Sequence, residues 1–301
     1  VSNYLKNFSA IGESAMIHGI HHVTAIAGDA QRNLDFYTKT LGLRLVKRTV
    51  NFDDPGTYHL YYGDGLGRPG TILTFFPWKN AFRGRTGQGQ VTETALAVPE
   101  GALPYWRTRL QEFAVPFEDL GDELLFADPD GMRLALVESG LLTDGYGAVP
   151  TQYAITRIDH VKLGSVEPIE TLELVQGIMG LDGINGPAQL DPDADKLPKG
   201  MMGPGAVHHV AFRVADDASE LEWREKLLDA GYAVSPVMDR QYFHSIYFRE
   251  PGGVLFEIAT DPPGFMTDET EAELGQKIQL PSWLESQRAE IEKALPPLKI
   301  G

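Results

Sequence analysis

The sequence predicts an α+β fold of four βαβββ modules. Three observations predict it. An alternating strand opens each unit, at Ile20–Ala27, Glu93–Val98, Arg157–Leu163 and Val207–Val214. A stretch of helical period follows, ended by glycine. Further strands then come in pairs joined by turn chemistry such as Asp128-Pro129-Asp130-Gly131 and Glu250-Pro251-Gly252-Gly253. Repeats of this length mean that one supersecondary unit recurs, and that each unit buries its apolar face against another.

In the first module Leu34, Tyr37 and Leu41 share one helical face before Gly42, and strands follow at Arg44–Val50, Tyr58–Tyr62 and Thr71–Trp78. Periodicity of 3.6 giving way to 2 is the signal for helix then strand. The second module shows its end most clearly, where 126–135 lines up with 248–257. Asp-Pro and Glu-Pro followed by glycine form tight strand-to-strand turns. The third module is the least regular; its Gly-, Pro- and Asp-rich stretch 183–205 reads as a long loop. In the fourth, Leu221, Leu227 and Leu228 precede Gly231, and strands are expected at Tyr232–Met238, Ser245–Arg249 and Val254–Ala259. Beyond Asp261 no repeat continues, and Pro281–Leu295 reads as a helix in a C-terminal tail, 263–301. Residues 1–15 share no pattern with the rest, and Met16 looks like a natural start; 1–16 is set aside as an extension or short arm.

Composition narrows the function. The 301 residues carry 26 Lys plus Arg against 42 Asp plus Glu, a formal charge of −16. Nucleic acid and anionic membrane both call for a basic surface, so neither is expected as a partner. With no cysteine, thiolate metal sites, iron–sulfur clusters, disulfides and cysteine nucleophiles are excluded. No apolar run reaches the length of a bilayer span, and nothing at the start reads as a signal peptide. The expected setting is cytoplasmic.

The chemistry concentrates in two histidine pairs, His21-His22 and His208-His209, and in Glu257 between Phe256 and Ile258. A glutamate inside an apolar strand is as readily on the solvent face as buried, and the histidines tip the balance, because a buried carboxylate is costly unless paired or metal-bound. Two histidines and one carboxylate make a metal face with open positions, suited to non-haem Fe(II) oxygen chemistry. Side chains alternate along a strand, so a regular strand aims only one histidine of each pair at a common metal. His160, in Asp159-His160-Val161, is a rival ligand from the third module.

The four modules, over residues 17–262, resemble the vicinal oxygen chelate superfamily, which includes glyoxalase I, extradiol ring-cleaving dioxygenases and bleomycin-sequestering proteins. More narrowly, His21-His22-Val23-Thr24, Phe36-Tyr37, Val46-Lys47-Arg48-Thr49, Tyr58-His59-Leu60-Tyr61-Tyr62 and Asp239-Arg240-Gln241-Tyr242-Phe243 are similar to the para-hydroquinone ring-cleaving dioxygenases. The resemblance implies two domains built of curved, half-open mixed sheets. Modules one and four, 17–90 and 205–262, would hold the metal, and modules two and three, 91–204, would form the second. It implies His22, His209 and Glu257 as ligands of Fe(II), with Mn(II) also acceptable to such a set. It implies pocket roles for Tyr247, Arg240, His21, Thr24 and His208, and apolar walls from Phe76, Trp78, Phe243 and Phe256. His244 receives no role. The implied reaction opens a small aromatic para-diol with O2, in a protein expected to be a homo-oligomer. The alternatives are a catechol extradiol enzyme using His160, a glyoxalase-like isomerase and a non-enzymatic binding protein. A catechol enzyme would carry a histidine where this chain has Arg240, and an isomerase a carboxylate that module one lacks.

Overall fold

The computed structural model describes residues 16–140 and 146–300; the expected extension falls mostly outside them. Module one comprises β1 (Ile20–Ala27), α1 (Ala30–Asp35), β2 (Arg44–Asn51), β3 (Asp54–Gly63) and β4 (Ile72–Pro77). Module two comprises β5 (Val91–Pro99), α2 (Leu103–Glu112), β6 (Phe117–Asp119), β7 (Glu123–Ala127) and β8 (Arg133–Gly140). Module three holds β9 (Arg157–Leu163), α3 (Pro168–Leu172) and β10 (Ala188–Leu190). Module four holds β11 (Val207–Val214), α4 (Asp217–Asp229), β12 (Met238–Asp239), β13 (Phe243–Arg249) and β14 (Leu255–Pro263). A short α5 (Arg288–Ala294) lies in the tail. No helix among the described residues is long and apolar enough to cross a membrane.

The strands form two mixed sheets. One has eight strands in the order β12-β13-β14-β11-β1-β4-β3-β2, joining modules four and one. The other has six in the order β10-β9-β5-β8-β7-β6, joining three and two. In each sheet the opening strands meet antiparallel inside the sheet, β1 on β11 at the centre of the larger and β5 on β9 one strand in from the edge of the smaller.

These opening-strand pairs share an irregularity. Ile20 pairs with Phe212 but His22 with Ala211, so His21 is an extra residue in β1; Thr24 pairs with His209 but Ala25 with Val207, so His208 is an extra residue in β11. The six-stranded sheet repeats the pattern at Asp159 and Thr92. A β-bulge bends its strand and re-aims the side chains around it. The bulge is thus a property of the architecture, and in one sheet histidines occupy it.

The helices join modules the other way. The odd modules' helices α1 and α3 run on into π-helical segments, Phe36–Thr40 and Glu173–Ile178, where a single α-helix is expected from the leucine spacing. Each ends on a bond that skips five residues, Leu41 N–H to Phe36 C=O and Met179 N–H to Leu174 C=O. The freed carbonyls are taken by the even modules. Arg109 of α2 donates to the carbonyls of Thr40 and Lys39, and Lys226 of α4 to that of Ile178. A cation at a helix C-terminus also meets the negative end of its dipole. The turn carboxylates complete each joint: Tyr37 OH donates to Asp128 and Thr171 OH to Glu250. Gly42 has φ +72°, and a Cβ there would lie 2.4 Å from Val149, so glycine is required.

Burial pushes the Asp128 carboxyl up to about 6. The folded value lies above the unfolded one, so the proton stabilises the fold below the unfolded value and that contribution is lost as pH rises through about 6. Asp128→Asn is expected to keep the turn's hydrogen bonds and gain on wild type by on the order of 2–3 kcal/mol between acid and neutral pH. Thermal melts of both proteins across that range read the difference; a constant gap would contradict it.

Three expected elements differ. The stretch 183–205, expected as a loop, carries β10 and a 3-10 turn at Ala194–Lys196, and among the described residues β10 is the one strand that follows the helix of module three. Of the strand expected at Tyr232–Met238, only Met238–Asp239 is strand. Pro236 has no N–H to give, and Ser235 makes the link to β13 ahead of Met238, its N–H donating to Tyr247 C=O and its Oγ accepting from Tyr247 N–H. The tail helix begins at Arg288, after a 3-10 turn at Glu285–Gln287, rather than at Pro281. The tail covers the eight-stranded sheet: Phe265 and Leu274 pack with Val46, Tyr61, Tyr242 and Phe243 in a cluster of their own. Lys47 fixes it there. Its fully buried ammonium binds Asp268 and Glu269 and lies 4.8 Å from the Tyr242 ring centre.

Candidate metal centre

The bulged centre of the eight-stranded sheet brings three ligand-type atoms together. Nε2 of His22 and Nε2 of His209 lie 3.3 Å apart. Oε2 of Glu257 lies 3.4 Å from the first and 2.8 Å from the second. All three residues are buried, and among the described residues they are the one group with such donors so close. Topology explains the meeting: β1 and β11 are central neighbours, and β14 is paired parallel to β11 with Glu257 beside Ala211.

The residues fit a metal. Ligands on neighbouring corners of a centre with bonds of about 2.1 Å stand roughly 3 Å apart, which is the spacing of these atoms. Oε2 approaches His209 and His22 without the alignment of a hydrogen bond to either, whereas Oε1 accepts from Ser245 Oγ. One carboxylate oxygen is anchored and the other is left facing the two imidazoles.

Each ligand-type histidine is held from behind by its bulged neighbour. His22 Nδ1 meets His21 Nδ1 at 2.9 Å, and His209 Nδ1 meets His208 Nδ1 at 2.8 Å. Alternation alone would turn each neighbour to the other face; the bulges remove that rule here. His21 is buried against Phe243. His208 lines the cavity. Burial drives His21 and His209 down, His21 well below its usual value, and His208 to about 3, so these rings are neutral. Burial pushes the Glu257 carboxyl up, but His22 and His209 outweigh it and hold that carboxyl well below the usual range.

A cavity of about 380 Å³ opens over His22 and His209. Of the expected walls, Phe76, Trp78 and Phe243 line it. Phe256 does not: next to Glu257, it points to the opposite face and packs on Phe212 and Phe248. Thr24 lines the cavity, as do Tyr247 and Arg240, whose Nε donates to the Tyr247 hydroxyl at 3.1 Å. Burial and the nearby Glu257 carboxylate raise the Tyr247 hydroxyl, so it keeps its proton. Arg240 and Ser245 are the hydrogen-bonding neighbours of that hydroxyl. At the mouth, Arg240 also reaches Asp53 at 3.4 Å. His244 lies apart, bonded to Asp217 at 2.7 Å.

His160 is in the six-stranded sheet, away from this group. Matching the central pairs Val23–Val210 and Val161–Thr94 puts His160 in the place of His22, Glu93 in that of His209 and Ala135 in that of Glu257. There Glu93 is closed off by Lys162 at 2.6 Å, and His160 binds Asp159 at 2.9 Å. Sequence reasoning gave no role to His59, which lines the cavity between Tyr61 and Phe76. A histidine amid the aromatic residues of Tyr58–Tyr62 was the available signal.

A family model described as the Glyoxalase/Bleomycin resistance protein/Dioxygenase superfamily matches residues 19–95 and 157–258. A Bacillus subtilis protein named as a ring-cleaving dioxygenase, MhqO, is 45% identical over 94% of this chain and 97% of its own. The chlorohydroquinone/hydroquinone 1,2-dioxygenase of Sphingobium indicum is 34% identical over 93% of this chain and 96% of its own. A crystal structure of a Bacillus subtilis protein titled as a dioxygenase superposes with a TM-score of 0.89 at 44% identity, covering 95% of this chain and 99% of its own. Glyoxalase I of Zea mays shares the fold, with a TM-score of 0.56 at 12% identity over 81% of this chain and 92% of its own.

Proposed function

The chain belongs to the glyoxalase/bleomycin resistance protein/dioxygenase superfamily, as an enzyme of the ring-cleaving dioxygenase class, and we propose that it opens a hydroquinone ring with O2 at an Fe(II) centre held by His22, His209 and Glu257. The observation that carries this reading is the convergence of those three side chains, at the spacing of adjacent ligands, with the two histidines lining an aromatic-walled cavity. A relative that acts on chlorohydroquinone and hydroquinone, similar over nearly the whole chain, supports the para-diol. Mn(II) suits the same donors.

Fe(II) bound there would supply Lewis acidity toward one ring hydroxyl and open positions that bring O2 beside the ring. The protein does the rest. His22 and His209 present Nε2 to the metal because their Nδ1 protons are directed at His21 and His208; such partners fix the tautomer and the ring orientation. His208, neutral and with Nδ1 engaged, offers an Nε2–H to the cavity. Tyr247 offers its hydroxyl proton to oxygen that gains negative charge, and Arg240 holds that hydroxyl in place and adds positive charge beside it. Phe76, Trp78 and Phe243 clasp the ring and keep water from its faces.

Oxygen uptake by Fe(II)-loaded protein, measured with hydroquinone, methylhydroquinone and catechol in turn, tests the reading. Uptake is expected with a hydroquinone, is lost in His22→Ala and is kept in His160→Ala. Uptake with catechol alone, or loss with His160→Ala only, would overturn it. Tyr247→Phe is expected to lower turnover about 100-fold with iron content unchanged; normal turnover would remove Tyr247 from the proton's path.

A further inference from the structure

The cavity wall built by β1, β3 and β4 carries a second polar array that neither the ligand set nor the Tyr247–Arg240 pair uses. Thr24, Thr74 and Tyr61 stand in one row across β1, β4 and β3, and Thr24 is in turn paired with His209 across β11. His59 sits two residues from Tyr61 on the same strand, so it shares that face. Their polar atoms are linked end to end: Tyr61 OH to His59 Nδ1 at 2.8 Å, His59 Nε2 to Thr74 Oγ at 2.7 Å, and Thr74 Oγ to Thr24 Oγ at 2.9 Å.

The chain of bonds has a direction. Burial, then His22 and His209, hold the His59 imidazole well below its usual value, so it is neutral, with one nitrogen donating and one accepting. Tyr61 is buried, and His59 Nδ1 is the acceptor beside its hydroxyl. A buried donor left unpaired is costly, so Tyr61 donates to Nδ1. Nε2–H then donates to Thr74, Thr74 donates to Thr24, and the Thr24 proton is left over. Thr24 lines the cavity. We infer that Tyr61, His59 and Thr74 form a buried hydrogen-bonded wire that fixes Thr24 as an outward donor, and that this donor holds the second, uncoordinated oxygen of a para-diol. The inference rests on the para-diol reading of the site. His59 and Thr74 are positioning residues: they act through Thr24, and Thr74 does not line the cavity.

The wire predicts how binding depends on the far oxygen of the ring. The probes are hydroquinone and 4-methylphenol, which replaces that hydroxyl by a methyl group of similar size. Titration calorimetry of the Fe(II)-loaded protein without oxygen gives both affinities. Wild type is expected to prefer hydroquinone by about ten-fold. Thr74→Val and His59→Phe, which keep shape but break the wire, are expected to lose most of that preference, while Thr74→Ser restores it. Thr74→Val, outside the cavity lining, keeps its 4-methylphenol affinity, and both variants keep their iron content, which a collapsed wall would not allow. Preference kept in Thr74→Val and His59→Phe but lost in Thr24→Val would overturn the wire and leave Thr24 acting alone. A wild type without preference would overturn it too. Oxygen uptake is scored separately: a preference in binding without turnover fails the ring-opening reaction and leaves the wire standing.

Discussion

Glu257→Gln is expected to abolish tight metal binding while the fold persists. The substitution keeps the shape that Ser245 holds through Oε1 and removes the charge that faces His22 and His209. Losing a partner that only orients a ligand already costs 10–100-fold in affinity, so losing the charged ligand itself should cost more than about 100-fold. The metal-free protein should not suffer, because a fully buried carboxylate without its metal is itself a burden on the fold. The two readouts therefore separate. Wild type should melt higher when Fe(II) or Mn(II) is added, by about 3 kcal/mol once the metal is 100-fold above its dissociation constant. Glu257→Gln should show no such shift, with a metal-free melt at or above that of wild type. A retained metal shift would exclude Glu257 as ligand; a collapsed metal-free variant would make its role structural.

Lys47→Met is expected to give the largest loss of stability, about 3–5 kcal/mol. Lys47 lies on β2, and its ammonium is removed from water. Its partner Glu269 is also buried and belongs to the tail. Truncation leaves that carboxylate without a counter-charge, and the effect reaches the site because Phe265 and Leu274, on either side of Glu269, share a cluster with Tyr61 and Phe243, which line the cavity. Urea unfolding measures the loss. Adding Glu269→Gln to Lys47→Met should recover much of it, and such non-additivity marks residues that act on each other. Equal losses in the single and double variants would show that Lys47 acts through packing alone.

Much of this molecule is legible in its sequence because its information is local. Alternation gives the opening strands at Ile20–Ala27, Arg157–Leu163 and Val207–Val214 with the boundaries observed. The Asp-Pro and Glu-Pro turns align modules two and four, and that alignment isolates Glu257 against Ala135. What escapes is non-local. A bulge is a relation between two strands, so neither His21 nor His208 announces itself as the extra residue. The π-helical segments depend on carbonyls that Arg109 and Lys226 collect from other modules, and the leucine spacing is silent about them. Tyr232–Met238 has the composition of a strand, but Pro236 withholds the N–H that a ladder needs. His59 gains meaning only when β4 brings Thr74 between it and Thr24.

The pairing of the opening strands bears on how the chain comes to its native state. The two imidazoles that meet at 3.3 Å are 187 positions apart, whereas β5 and β9 lie close in the chain. Long-range strand pairing must first overcome the entropy of closing a large loop, which makes it slow. The six-stranded sheet can therefore assemble on the ribosome while the eight-stranded one waits for module four. Until then module one has an unpaired central strand, an edge open to wrong partners. Module two already offers it a dock, through Asp128 on Tyr37 and Arg109 on Thr40. Module four meets the same dock on module three, through Glu250 and Lys226. These contacts hold the two late strands on one scaffold and shorten the effective search between them. The proposed metal centre therefore forms late in synthesis, since a nascent chain carries no complete ligand set until β14 has left the tunnel.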